Sequence, residues 1–163
     1  MFVKGGDYLE IQVVEKEELR VVGISWNGTY SQTSTIPDLF VEMKGRLEEV
    51  VNKTDDPVLI APFHSRETEF TYFVTKPVIK IEDVPEGMVG FTIPAKNYVF
   101  ATHKGRPEEV ENTYLQMFSW MREYGYEQDF QALSLEVYRE EHIQQNSTGD
   151  LYYEIYLPVK KYS

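Results

Sequence analysis

LYYEIYLPV, residues 151 to 159, decides how this chain is read. Tyr152, Tyr153, Ile155, Tyr156 and Val159 are β-branched or aromatic, and Pro158 marks the place where ladder pairing should stop, so the segment predicts a β-strand. Side chains alternate across a strand. Tyr152, Glu154 and Tyr156 therefore share one face, and Leu151, Tyr153, Ile155 and Leu157 the other. Glu154 between two tyrosines is either a solvent charge on an edge strand or the acidic floor of an aromatic pocket.

The same segment has a counterpart earlier in the chain. FTYFVTKPV at 70 to 78 aligns with it without a gap at a separation of 81 (151 − 70), placing Tyr72 on Tyr153, Val74 on Ile155 and Pro77-Val78 on Pro158-Val159. Trp26-Asn27-Gly28 aligns with His103-Lys104-Gly105 at 77 (103 − 26), and Pro37 with Pro107 at 70 (107 − 37). Similar but unequal separations are what duplication followed by loop drift leaves. In this alignment Glu154 falls on Phe73, so a carboxylate in the second half replaces an apolar ring in the first.

The remaining elements fit two halves. YLEIQVVE (8 to 15) and LRVVGISW (19 to 26) form a first extended segment, with Gly23 a candidate bulge and Asn27-Gly28 a turn. A helix opened by Pro37 and Asp38 carries Leu39, Phe40, Met43, Leu47, Val50 and Val51 at helical spacing and runs to about Lys53. Strands follow at 58 to 64 and 69 to 78. The second half repeats the order: extended segments at 88 to 93 and 97 to 103, then a helix opened by Pro107. Val110, Tyr114, Met117, Phe118, Met121 and Tyr124 form its buried stripe, Gly125 caps it, and a strand at 132 to 140, a polar loop around Asn146 to Gly149 and the closing strand complete the half. The fold class expected is α+β: one domain over 1–163, built from duplicated β-α-β-β modules at about 8–80 and 88–160. A pseudo-twofold axis relates the modules, an antiparallel sheet carries both helices on one face, and a groove lies between the helices.

Composition narrows the function. The formal net charge of −11 argues against binding phosphate backbones directly, so no nucleic-acid partner is expected. Twelve Tyr, nine Phe and two Trp stock the chain with rings suited to cores and to flat or cationic ligands. The chain has no cysteine, which excludes disulfides, thiolate metal sites and cysteine nucleophiles and fits a reducing, cytoplasmic setting. His64, His103 and His142 show no metal-ligand spacing, and neither a glycine-rich phosphate loop nor a GxSxG elbow occurs, so no metal and no cofactor is expected. No apolar run is long enough for a membrane span. The Asn-x-Ser/Thr matches at Asn27, Asn52 and Asn146 carry little weight in an intracellular protein.

FATHKG (100 to 105) before a Pro-opened helix, LEVY (135 to 138), YYEIYLPV (152 to 159) and the duplicated order resemble the GyrI-like small-molecule-binding domain, also met as the effector-binding domain of bacterial multidrug-responsive transcription activators. The resemblance spans roughly residues 8 to 160. It implies an aromatic-lined groove that holds lipophilic, often cationic compounds over an acidic residue on the last strand, a position that Glu154 occupies here. Regulator members carry a helix-turn-helix unit ahead of the domain, whereas seven residues precede Tyr8, so a stand-alone member is expected.

Three functions follow as expectations. The first is a binding module for hydrophobic, aromatic or cationic small molecules, with Glu154 as the charge and Trp26, Tyr98, Trp120, Tyr138 and Tyr156 as walls. The second is a cofactor-independent hydrolase of small electrophiles with Glu154 as general base. The third, which the resemblance implies, is a protein inhibitor or modulator of DNA gyrase acting through its acidic surface, with a regulator or gyrase as the protein partner. Glu136, within LEVY, is expected to be exposed or paired with a nearby Arg or Lys.

Overall fold

The computed structural model of the protein describes residues 9–143 and 150–160; Tyr8 and the loop around Asn146 to Gly149 lie outside the described residues. In chain order the elements are β1 (Gln12–Lys16), β2 (Leu19–Thr29), a 3-10 segment (Tyr30–Thr35), α1 (Ile36–Gly45), a 3-10 turn (Leu47–Glu49), β3 (Val58–Ser65) and β4 (Glu69–Val78). They continue as β5 (Val89–Ile93), β6 (Lys96–Gly105), a 3-10 turn (Pro107–Glu109), α2 (Val110–Tyr124), β7 (Glu127–Gln128), β8 (Ser134–Arg139), α3 (Glu140–Ile143) and β9 (Leu151–Lys160).

The strands join one curled antiparallel sheet in the order β1-β6-β9-β8-β3-β4-β2-β5, with β7 added against β9. Taken from its two ends inward, this order pairs β1 with β5, β6 with β2, β9 with β4 and β8 with β3, so it reads alike when the two halves are exchanged. The first extended segment is split in two, and β1 does not stay with its own half. It pairs with β6 (Val14 opposite Tyr98), while β5 pairs with β2 (Val21 opposite Phe91). Each half thus lends its first strand to the edge of the other.

Both sheet faces are buried. On one, α1 covers Val22, Ile24, Leu59, Ala61 and Val74 through Met43, and α2 covers Val99, Ala101, Ile155 and Leu157 through Met117 and Met121. Each side chain fully removed from water in this way contributes about 1.5–3 kcal/mol. The other face carries Val21, Val58, Ile60, Ile93, Tyr98, Leu135, Val137 and Tyr156. Ring contacts knit that face together, Phe73 to Phe91 and Phe100 to Tyr156 both at 4.9 Å between ring centres.

Several local expectations are corrected. α1 stops at Gly45 instead of near Lys53; Arg46 leaves helical geometry at φ −116°, ψ 7°, and Val50 reaches the core from the segment after the 3-10 turn, while Val51 is exposed. Asn27-Gly28 is not a turn, because β2 continues through it opposite Thr71 and Phe70. Gly23 is not a bulge, since pairing with β4 is unbroken across it. A Cβ there would lie 2.0 Å from the Val74 carbonyl oxygen, so glycine is required by close approach of the backbones. At the end of α2, Gly125 adopts φ +79° and caps the helix as expected, but Tyr124 points out into solvent.

Candidate functional site

Between α1 and α2, on the sheet face they cover, lies a cavity of about 1210 Å³. Ile36, Phe40 and Lys44 line it from α1, Val110, Tyr114 and Phe118 from α2, and Phe63, Tyr72, Glu136, Tyr138 and Tyr153 from the strands beneath.

Glu136 sits at the floor. Alternation along β8 puts Glu136 and Tyr138 on the cavity face and Leu135 and Val137 on the other. The Tyr138 hydroxyl donates to Oε1 of Glu136 at 2.7 Å. So does the Tyr72 hydroxyl, also at 2.7 Å, reaching from β4 across β3. The β3 residue opposite Glu136 is Ala61, whose methyl group leaves room for that reach. Tyr114 of α2 donates to Oε2 at 3.0 Å. Three phenol donors thus converge on one carboxylate that has about four acceptor positions. Phe40 packs edge-on against Tyr138 with ring centres 4.8 Å apart, and Tyr153 stacks on Tyr138 at 4.9 Å.

Protein encloses Glu136 on every side but that of the cavity, through which it keeps part of its contact with water. Burial pushes its carboxyl pKa above the usual value, and the hydrogen bonds from Tyr138, Tyr72 and Tyr114 pull partly back. Burial, with the charge of Glu136 beside it, holds the hydroxyls of Tyr72, Tyr114 and Tyr138 well above the ordinary tyrosine range, so they remain donors. The arrangement is a partly desolvated negative charge, fixed in place, under aromatic walls. Among the described residues no set of three or more His, Asp or Glu side chains converges to hold a metal.

Glu154, expected as the groove acid, is on the opposite face of the sheet. Tyr153, Ile155 and Leu157 take the helix face of β9, so the two faces divide as the alternation predicts, but the cavity lies on the face opposite Glu154. Arg139 donates from Nε to Oε2 of Glu154 at 2.9 Å, and the Tyr156 hydroxyl donates to Oε1 at 2.8 Å. Lys16 lies over the Tyr156 ring, 4.5 Å from its centre. The Glu154 side chain is 12% exposed. Burial raises its pKa, but Arg139, Tyr156 and Lys16 together outweigh that and hold the carboxyl below its usual value. It is a partnered structural charge.

Of the expected walls, Tyr138 alone lines the cavity. Trp26 donates its indole N–H to the Thr35 hydroxyl at 3.0 Å and packs on Phe70 outside the lining. Tyr98 is buried with Tyr156 in the core of the far face, its hydroxyl pKa pushed up to about 12 by burial. Trp120 stacks on Tyr126, 5.7 Å between ring centres, at the outer end of α2. Glu136 is neither exposed nor paired with Arg or Lys. The signal it left in the sequence is Glu136-x-Tyr138, the same spacing as Glu154-x-Tyr156, and the structure uses both, one on each face.

Fold and cavity together define a small-molecule-binding domain. The chain belongs to the GyrI-like small molecule binding domain family, whose model matches residues 9–160. It is 30% identical over 112 residues to the transcriptional regulator BrlR of Pseudomonas aeruginosa, a match covering 68% of this chain and 41% of the regulator, so the chain spans about two fifths of that relative's length. It is also similar in structure to the EcmrR C-terminal domain, with a TM-score of 0.76, 17% identity and coverage of 94% of this chain and 99% of that one. SAV2435, solved with tetraphenylphosphonium bound, superposes with a TM-score of 0.69 at 17% identity, over 93% of this chain and 94% of that one. At such identities the two likenesses speak for the fold.

Proposed function

We propose that this domain binds lipophilic, aromatic cations in the cavity between α1 and α2, with Glu136, rather than Glu154, as the compensating charge. The observation that carries the reading is the Glu136 carboxylate, held by Tyr72, Tyr114 and Tyr138 at the base of a mainly aromatic and apolar cavity whose lining also includes Lys44, Glu111 and His64. A carboxylate there is disfavoured by desolvation, and a delocalised cation relieves that cost without needing to be stripped of a tight water shell. Ring faces around it add cation–π attraction of about 0.5–2 kcal/mol each. The family's small-molecule binding supports a small ligand, and the tetraphenylphosphonium held by SAV2435 supports this class of it.

The relation to BrlR supports a sensing role in which ligand occupancy is passed to a transcription regulator. Turnover is the weaker reading. Three of the carboxylate's roughly four acceptor positions already hold phenol protons, which fits a fixed charge better than a general base. Calorimetry with tetraphenylphosphonium, a neutral aromatic of similar size and an aromatic anion tests the proposal. The cation should bind, the neutral compound should bind more weakly and the anion not at all, with the cation recovered unchanged. Equal affinity for all three would refute it.

A further inference from the structure

We propose that Phe130 is a ligand-gripping residue at the mouth of this cavity, carried on a backbone strap that His64 holds in place. The inference rests on the cavity being the binding site. At about 1210 Å³ the cavity is larger than the ~300–1,000 Å³ usual for sites that enclose most of a drug-sized ligand. One such ligand is enclosed only if side chains at the rim turn inward.

Three large apolar side chains stand exposed among the lining: Val41, Tyr30 and Phe130. Val41 is short and set on a helix. Tyr30 is fixed, stacked on Phe70 at 5.1 Å with its hydroxyl donating to the Arg66 carbonyl oxygen at 2.6 Å. Phe130 is 69% exposed, and its ring stacks on no aromatic ring among the described residues. It can turn over the opening by side-chain rotation alone, on the timescale of exposed rotamers.

Its backbone, by contrast, is clamped on both sides. The Phe130 carbonyl oxygen lies 2.8 Å from Nε2 of His64 on β3. A carbonyl only accepts, so Nε2 of His64 is the donor. Next door, the Asp129 amide donates to the Pro158 carbonyl oxygen at 2.8 Å, and Lys96 pairs with the Asp129 carboxylate at 2.6 Å. A fixed backbone with an exposed aromatic ring sets the reach of a grip while leaving the ring able to change rotamer.

Stopped-flow dissociation of tetraphenylphosphonium, read by intrinsic fluorescence, tests this. Phe130→Ala should speed dissociation about five- to tenfold while association changes little. His64→Ala should move in the same direction, and His64→Gln, whose amide N–H also donates to the carbonyl, should recover most of the loss. Phe130→Trp should show a blue-shifted emission when the cation is added. Binding that depends on Glu136 but dissociates at the wild-type rate in Phe130→Ala, with no shift in Phe130→Trp, overturns the grip alone. No binding by the wild type overturns the grip and the cavity reading together.

Discussion

Replacing Glu136 by Gln removes the charge from the cavity floor while keeping its shape. The amide oxygen still accepts from two of the three tyrosine hydroxyls, and the amide N–H₂ faces the third, whose oxygen can accept. Because burial disfavours the ionised carboxylate, the fold should lose little or nothing at neutral pH. A monovalent cation centred about 5 Å from the carboxylate gains roughly 3 kcal/mol at an effective dielectric constant of about 20, and less where the open cavity admits water. The expected loss of cation affinity is therefore roughly ten- to hundredfold. Calorimetry with methyltriphenylphosphonium and its neutral near-isostere triphenylphosphine oxide isolates this effect. The cation should lose that factor and the neutral compound change by less than about threefold, since both fill the same apolar space. Equal losses for both, or no loss for either, would refute the assignment of Glu136.

Other consequences follow from the same geometry. Glu136 has a folded-state pKa raised above its unfolded value, so its contribution to stability is fully present below about pH 4.5 and is lost as pH rises through the folded value; Glu136→Gln should flatten that part of the stability profile in chemical denaturation. Cation binding in the same window should release protons, visible as a dependence of binding enthalpy on buffer ionisation heat. Arg139→Ala strands the largely buried Glu154 without its main partner and should cost about 2–4 kcal/mol of stability in denaturant titration, while Glu154→Gln should leave cation affinity unchanged. Gly23→Ala forces a Cβ against the Val74 carbonyl and should lower stability by ~3 kcal/mol or more, read as a lowered Tm.

Most of the architecture was legible because it is written in periodicity and punctuation. Pro37 and Pro107 open segments that become helical, Gly125 closes α2 in the left-handed conformation, and the alignment of Tyr72 with Tyr153 puts two residues on the same sheet face, both lining the cavity. The exchange of β1 and β5 between halves was not legible, since local pattern predicts a strand but not its partner. Tyr138 was legible as a wall of the cavity, but the carboxylate on its floor was not. LEVY points to an exposed or ion-paired Glu136 because a carboxylate is rarely buried, although alternation already sets it on the same face as Tyr138, an expected wall. The curl of the sheet buries Leu135 and Val137 on the far face, among Ile60, Tyr98 and Tyr156, and that frees the helix face of β8 for a carboxylate and its tyrosines. Glu154 misled because it carries the same neighbouring tyrosine; its partner Arg139, one strand away, could not be assigned without the register that sets Val137 opposite Glu154.

The most direct measurement is a crystal structure of the protein soaked with methyltriphenylphosphonium. The cation should lie between α1 and α2, with phosphorus within about 6 Å of the Glu136 carboxylate and Phe130 turned over it. A cation seated beside Glu154 on the far face of the sheet, or on the outer surface with the Glu136 and tyrosine cluster untouched, would contradict the account.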